Sequence, residues 1–396
     1  MNRAIAKLRL GDITRFVSGG TPSKQVPRYW GGSTPWVSAK DLKSLHIDSS
    51  IDTLSDSGRD AASLVPRGTL LILVRGMTLF KSIPIGIASR ELAINQDLKG
   101  LITNGAVSPE FLAYSLLAKE SELLQMVEAA GHGTGRLDTD ALKDVLVRVP
   151  SLPEQHQVAS AIATWDTAIQ KTEQLIATKA KRKAGLMAEL LTGRRRVARF
   201  QTEWRSWHLG ELFQERVENN RNDLPLLSIT REEGVVPRNG LERKDTSSED
   251  KSKYLHICPG DIGYNTMRMW QGVSALSRHE GIVSPAYTVC IPGPEIDGRF
   301  ASYLFKLPEV IHLFYRYSQG LTSDTWNLKF HHFAAIRVRI PEPEEQIAIA
   351  SILSILDEGL ALLKLQREAL TQQKRGLMQK LLTGEWRLLV PAETDV

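Results

Sequence analysis

Side chains that suit base edges or phosphates gather on the polar and glycine-rich loops of this chain. In the first half they are Ser23, Lys24, Lys40, Arg75, Lys81, Gln96, Thr134 and Arg136; in the second they are Arg231, Asn265, Arg268, Gln271, Ser323, Thr325 and Asn327. Arginine offers guanine two parallel donors, and asparagine or glutamine pairs in the same way with adenine. Trp36, Trp270 and Trp326 could stack on sugars, although core packing is the commoner fate of a lone tryptophan. Bond-making chemistry has no comparable set. No glycine-lysine dipeptide exists to build a phosphate-binding P-loop, and neither G-x-G-x-x-G nor H-E-x-x-H occurs. The Asn/Asp-Pro-Pro-aromatic tetrad of amino-methyltransferases and the Pro-Asp opening of the common nuclease motif are also missing. His331 and His332 are adjacent, so their rings are expected to diverge rather than share a metal. No catalytic residue and no metal ligand is therefore assigned.

The elements that must position these loops occur twice. Shifted by 191 residues, Val149-Pro150 falls on Ile340-Pro341, and the match runs without a gap to Thr192-Gly193 over Thr383-Gly384. Gln155 meets Gln346, Asp166 meets Asp357, and GLMAELLTG (185–193) meets GLMQKLLTG (376–384). Upstream the match is weaker: Phe111 and Tyr114 resemble Phe300 and Tyr303, and Leu10-Gly11-Asp12-Ile13 resembles Leu209-Gly210-Glu211-Leu212. So long a period is a duplicated domain pair rather than a solenoid. Within the variable sections, 69–74, 83–88 and 287–291 read as strands, being short and rich in β-branched residues. Residues 108–127 and 298–315 carry helical spacing. The expectation is an α+β domain, twice.

Each matched segment reads as one long helix. Prolines 150, 153, 341 and 343 stand at the starts, where proline is tolerated, and Gly193 and Gly384 follow as stops. Apolar residues recur in steps of four and three at Val158, Ile162, Trp165, Ile169, Ile176, Leu186 and Leu190. The second copy has Ile349, Leu353, Leu356, Leu360, Leu363, Leu370, Leu377 and Leu381. That spacing is a coiled-coil seam, and two such helices in one chain are expected to pair antiparallel. Thr172, Lys179, Lys183, Arg367 and Lys374 interrupt the seam. They either tune register or mark where another subunit packs. The basic run Lys179, Lys181, Arg182, Lys183, Arg194, Arg195, Arg196 and Arg199 is a solvated face or a phosphate-facing one.

Composition narrows the class. At 396 residues, 42% of them hydrophobic and 24% charged, the chain suits two or three globular domains. Its net charge of +5 is small for this length, so affinity for nucleic acid must come from local patches. Cys258 and Cys290 are expected to make neither a C-x-x-C pair nor a structural zinc site, and a reducing cytoplasm is expected. The first residues lack the apolar core of a secretory signal. The stretch 347–363 is broken by Asp357, Glu358 and Gly359 and reads as too short for a membrane span.

Together these pieces resemble the specificity subunit of type I restriction-modification enzymes. The resemblance covers nearly the whole chain and is carried by LGDITRFVSGGTPSK (10–24), PWVSAKDL (35–42), GTGRLDTDALKDVLVRVPSLPEQHQVA (133–159) and IRVRIPEPEEQIAIASILSILD (336–357). It implies two target recognition domains, 1–148 and 207–339, each reading half of a split DNA sequence. Helical spacers at 149–193 and 340–384 would form an antiparallel coiled coil, with a linker at 194–206 and a tail at 385–396. It also implies a non-catalytic subunit that binds double-stranded DNA, two modification (methyltransferase) subunits and restriction (translocase and nuclease) subunits, with no membrane partner. No cofactor would sit on this chain; S-adenosylmethionine, ATP and Mg²⁺ would belong to the partners. The second half departs from the pattern, having ENNRNDL (218–224) where the first has SGGTPSK. The competing reading is a coiled-coil scaffold that binds no specific DNA sequence.

Overall fold

The computed structural model describes residues 6–231, 233–238, 250–322 and 325–388. The chain divides into two compact units, and the division cuts both long helices. One unit joins Met1–Glu173 to Leu365–Val396, and the other is the continuous stretch Gln174–Lys364.

In the first unit, strand Ala6–Arg9 pairs antiparallel with Leu146–Val149, the strand that feeds the first long helix. The core sheet has the order Thr14–Ser18, Leu98–Thr103, Leu70–Leu73, Ile85–Ala88, His46–Ile47. Its central strand Leu70–Leu73 is wholly buried, as an uninterrupted apolar run demands. A four-stranded sheet carries Trp30–Val37, and a three-stranded one joins Val127–Ala130, Thr134–Leu137 and Arg75–Gly76.

The second unit repeats the frame with a sparser sheet system. Arg205–His208 pairs with Arg337–Ile340 ahead of the second long helix. The main sheet has the order Phe213–Glu215, Tyr287–Pro292, Ile262–Asn265, Ser274–Leu276. Two two-stranded pairs follow, Leu227–Ile229 with Val235–Pro237 and Leu255–Ile257 with Gly281–Val283, linked by a parallel bridge from Leu226 to Ile282. The Leu-Gly-Asp/Glu match has a structural cause. Leu10–Ile13 and Leu209–Leu212 are both single helical turns. A β-carbon at Gly11 or Gly210 would stand only 3.1 Å from Lys143 or 2.8 Å from Ala334.

The long helices run Leu152–Leu191 and Pro343–Thr383, each roughly 60 Å at 1.5 Å per residue. Both end alike. Gly193 and Gly384 take φ of 72° and 80°, while Arg195 N donates to Glu189 O and Trp386 N to Lys380 O at 3.1 and 3.0 Å. In each case this bond, spanning six positions, closes the turn that follows the left-handed glycine. All fifteen seam residues are buried or half-buried. Within the first unit Val158 and Ile162 share a core with Leu377 and Leu381; within the second, Leu186 and Leu190 share one with Ile349, Leu353 and Leu356. In each unit the two helix segments run antiparallel. Contacts pass from Arg148 with Leu381 to Asp166 with Lys374 in one, and from Lys183 with Asp357 to Arg196 with Glu345 in the other.

Two expectations need correction. Residues 108–127 and 298–315 are not single helices: the first splits into Pro109–Ala118 and Glu120–Gln125, the second into Gly298–Leu304 and Pro308–Tyr317. Pro308 cannot continue a preceding helix. The second long helix does have the length and composition of a membrane span. Its Asp357 is nevertheless bonded to Lys183 and Tyr303, and its Ile349, Ala350 and Leu353 lie in the second unit's core.

Candidate nucleic-acid interface

In the first unit the candidates fall into two groups. Arg75 and Arg136 stand directly opposite each other on adjacent strands, with Thr134 two residues before Arg136. Both arginines are exposed. Like charges opposed across a strand pair repel, and the register neighbour Glu128 offsets only part of that. An anion laid over the pair would remove the repulsion. The short helix Met77–Phe80 flanks the pair, followed by exposed Lys81. Met77 and Phe80 are 73% and 52% exposed, and no periodicity marks them. A second group gathers around the loop 19–24. Thr21 bonds Gln96, and Lys24 Nζ lies 5.9 Å and 5.7 Å from the rings of Trp30 and Trp36. Ser23 is exposed and its carbonyl accepts from Trp30 Nε1 at 3.3 Å. Trp36 is buried against Leu54 and Ala93, so it is a core residue rather than a stacking platform. Lys40 is exposed on a separate turn, beside the Asp41 carboxylate that caps Ser38.

The second unit rebuilds the first of these groups. Leu328 N donates to Thr266 O at 2.8 Å, as Leu137 N donates to Val74 O at 2.9 Å. The donors of these bonds are related by the 191-residue shift, which aligns Thr325 with Thr134 and Asn327 with Arg136 in sequence. The short helix Met269–Gln271 takes the place of Met77–Phe80. Asn265 and Arg268 precede it, and Trp270 crosses Trp326 edge-on at 5.2 Å, which ties that loop to the 319–327 loop. Arg231 is exposed, and its charge bears on Lys306, whose Nζ donates to Gly272 O and Ser274 O at 2.7 Å. Burial pushes the Lys306 ammonium down to about 8. Ser323 lies outside the described residues. The loop 19–24 group has no counterpart here: at 218–224, Arg221 is paired to Asp223.

Beneath each interface lies a polar network that sequence matching flagged by residue without giving it a role. Gln155, fully buried, accepts from Ser108 N at 2.8 Å and donates to Pro150 O and Ala106 O at 2.9 and 3.0 Å. Gln346 does the same with Asp297 N, Pro341 O and Glu295 O. Each glutamine thereby fixes its globular section to the start of its own helix. Farther along, Tyr114 Oη donates to Asp166 at 2.8 Å, and the same carboxylate takes Lys374 of the antiparallel helix segment. Tyr303, Asp357 and Lys183 repeat the arrangement, with a 2.8 Å tyrosine bond. Lysine ammoniums also approach the Tyr114 and Tyr303 rings, at 5.5 and 5.4 Å. Burial, reinforced by Asp166, raises the Tyr114 hydroxyl well above its usual pKa, and burial pushes Tyr303 up to about 12. The polar seam positions Lys183 and Lys374 are therefore register-setting cross-links within the chain.

Half of the basic run is ion-paired within the chain, Lys183 among it. Arg194, Arg195 and Arg196 meet Glu309, Glu189 and Glu345, and Arg199 covers Phe200. The rings of His331 and His332, on the short helix Phe330–Ala334, lie 4.0 Å apart rather than diverging. Sequence reading also missed a convergence of His256, Cys258 and Glu280; only the His-x-Cys spacing hinted at it.

Residues 3–178 match the family profile of the type I restriction modification DNA specificity domain. The chain is 28% identical over 161 residues to the EcoR124I/EcoR124II specificity subunit of Escherichia coli, covering 40% of each chain. It is 30% identical over 175 residues to the MjaIX specificity subunit of Methanocaldococcus jannaschii, covering 42% of this chain and 39% of that one. The matched regions thus span about two fifths of those two relatives. The MjaVIII specificity subunit of the same archaeon aligns over 96% of this chain and 92% of its own, at 22% identity. Among solved structures, the S subunit of a type I restriction-modification system from M. genitalium superposes with a TM-score of 0.57 at 15% identity, covering 96% of both chains. A chain from a study of complex assembly and conformational transition in a type I system gives 0.56 at 14%, covering 97% of this chain and all of that one. At these identities the two superpositions speak for the fold alone.

Proposed function

We propose that the chain belongs to the type I restriction-modification specificity family, whose profile its residues 3–178 match, and that it reads a split double-stranded DNA target, one half per recognition domain. The observation that carries this reading is the pair of equivalent loops, Thr134 with Arg136 and Thr325 with Asn327, beside equivalent short helices. The loops share a scaffold and differ in the side chain offered to a base edge, arginine in one and asparagine in the other. That difference suits two half-sites of different sequence.

On this reading the chain supplies the address and its partners the chemistry. Two modification subunits would bring S-adenosylmethionine, and restriction subunits ATP and Mg²⁺, all in the cytoplasm. Exposed Ile347, Ile355, Leu362 and Leu365 recur at helical spacing on the second long helix and suit the docking of a partner's apolar helix. At the 191-shifted positions the first long helix has His156, Thr164, Lys171 and Gln174, so the stripe belongs to one helix only.

Methylome sequencing of a methylation-free host that carries this chain with its modification subunit tests the proposal. A bipartite motif methylated on adenine in both halves, and lost when this chain is removed, is the expected result. A soluble complex without any such motif would leave the coiled-coil scaffold as the better reading.

A further inference from the structure

We infer that the second recognition domain holds a zinc ion between His256, Cys258 and Glu280. His256 is 5% exposed on strand Leu255–Ile257, Cys258 follows that strand, and Glu280 immediately precedes its partner strand Gly281–Val283. The ligand atoms of all three lie within 4.8 Å of one another. His256 Nε2 is 3.5 Å from Cys258 Sγ and 3.0 Å from Glu280 Oε1. A tetrahedral zinc with bonds of about 2.1 Å to nitrogen, 2.3 Å to sulfur and 2.0 Å to oxygen sets those edges at about 3.6 and 3.3 Å. The set matches zinc's preference for mixed N, S and O donors, with water in the fourth position.

The surroundings are those of a built site. His256 Nδ1 faces Glu218 Oε2 at 2.9 Å, the carboxylate–histidine relay that fixes a ligating imidazole with Nε2 toward the metal. The backbone of Glu218 also accepts from His256 N at 2.8 Å. Cys258 N donates to Asp261, which Arg216 grips at 2.8 and 3.1 Å. An imidazolium caught between Glu218 and Glu280 would satisfy both ring nitrogens. It would leave the Cys258 sulfur aimed at the ring without a role.

The fold gives the ion a task. The strands that it would join have three residues each and, among the described residues, are tied to the rest of the sheet system by a single bridge from Ile282 to Leu226, an arrangement of marginal stability. The first unit has a four-stranded sheet instead. On binding, the Cys258 thiol releases its proton to solvent and the thiolate takes the metal.

Cobalt(II) titration of the purified full-length chain, followed by absorption, tests this. One equivalent should give the intense visible bands of a tetrahedral ion and a thiolate-to-cobalt charge-transfer band, both erased by zinc. Cys258→Ser should remove the charge-transfer band, and Glu218→Gln should weaken cobalt binding by about 10–100-fold. A wild-type chain lacking the charge-transfer band, or a band that survives Cys258→Ser, would overturn the site and leave the ion-paired imidazolium. Should Cys258→Ser fail to fold, the wild-type titration still decides, because Cys290 is fully buried and cannot supply the sulfur.

Discussion

At the scale of single residues, Arg136 and Asn327 occupy equivalent places and, on the proposed reading, would make different demands on a base. Replacing Arg136 by Ala is expected to relax one half of the methylated motif and Asn327→Ala the other. Each should cost about 1–3 kcal/mol of discrimination at one position, read by methylome sequencing of the variants. The paired tyrosines make a different prediction. Both hydroxyls hold their protons to higher pH in the folded chain than a free tyrosine, whose pKa is about 10. Their stabilisation is therefore complete below about pH 10 and is lost as the pH rises through 12, where Tyr303 titrates. The double variant Tyr114→Phe, Tyr303→Phe should show a flatter fall in stability across that window, measured by urea unfolding at stepped pH; an unchanged slope would rule the tyrosines out. Residue types were legible in the sequence, and grouping was not. Arg75 and Arg136 met only because strand register opposes them, and Trp36 left the interface because Leu54 and Ala93 bury it.

At the scale of elements, the seam was the most legible feature, since a repeat of steps of four and three depends on nothing outside the helix. What the pattern left open was the meaning of its polar interruptions. Lys183 and Lys374 look like defects until Asp357 and Asp166 are seen opposite them. Replacing Gln155 by Leu should destabilise the first unit, because Ser108 N, Ala106 O and Pro150 O lose their partner inside the protein at about 1–3 kcal/mol for each group left unsatisfied. Hydrogen exchange should show the loss in 106–114 before it reaches the second unit; a uniform loss would contradict it. Ile355→Asp with Leu362→Asp should leave thermal unfolding within a degree or two, since both side chains are exposed. Co-purification of the modification subunit should fail. The splits at Lys119 and Pro308 escaped sequence reading because apolar spacing continues through both interruptions while the backbone does not.

At the scale of the whole molecule, duplication was visible in the sequence and the partition into units was not. A boundary drawn along the chain keeps each long helix whole, whereas compactness divides both at their middles. The contacts that decide this join residues more than 200 positions apart, such as Asp166 with Lys374. Exchange of residues 8–147 for the corresponding section of a type I specificity subunit is expected to alter one half of the proposed DNA target and leave the other intact. A motif altered in both halves would mean that the units do not read independently.

The same partition sets a timetable for synthesis. The second unit is continuous from Gln174 to Lys364, while the first must wait for residues beyond 364. At ordinary translation speeds that interval is roughly 10–40 s. Through it the nascent chain presents Val158 and Ile162 without Leu377, Met378 and Leu381, which later complete their core. The part made last closes the part made first, and a chain released after ending near residue 364 would carry a complete second unit together with a sticky, unfinished first one.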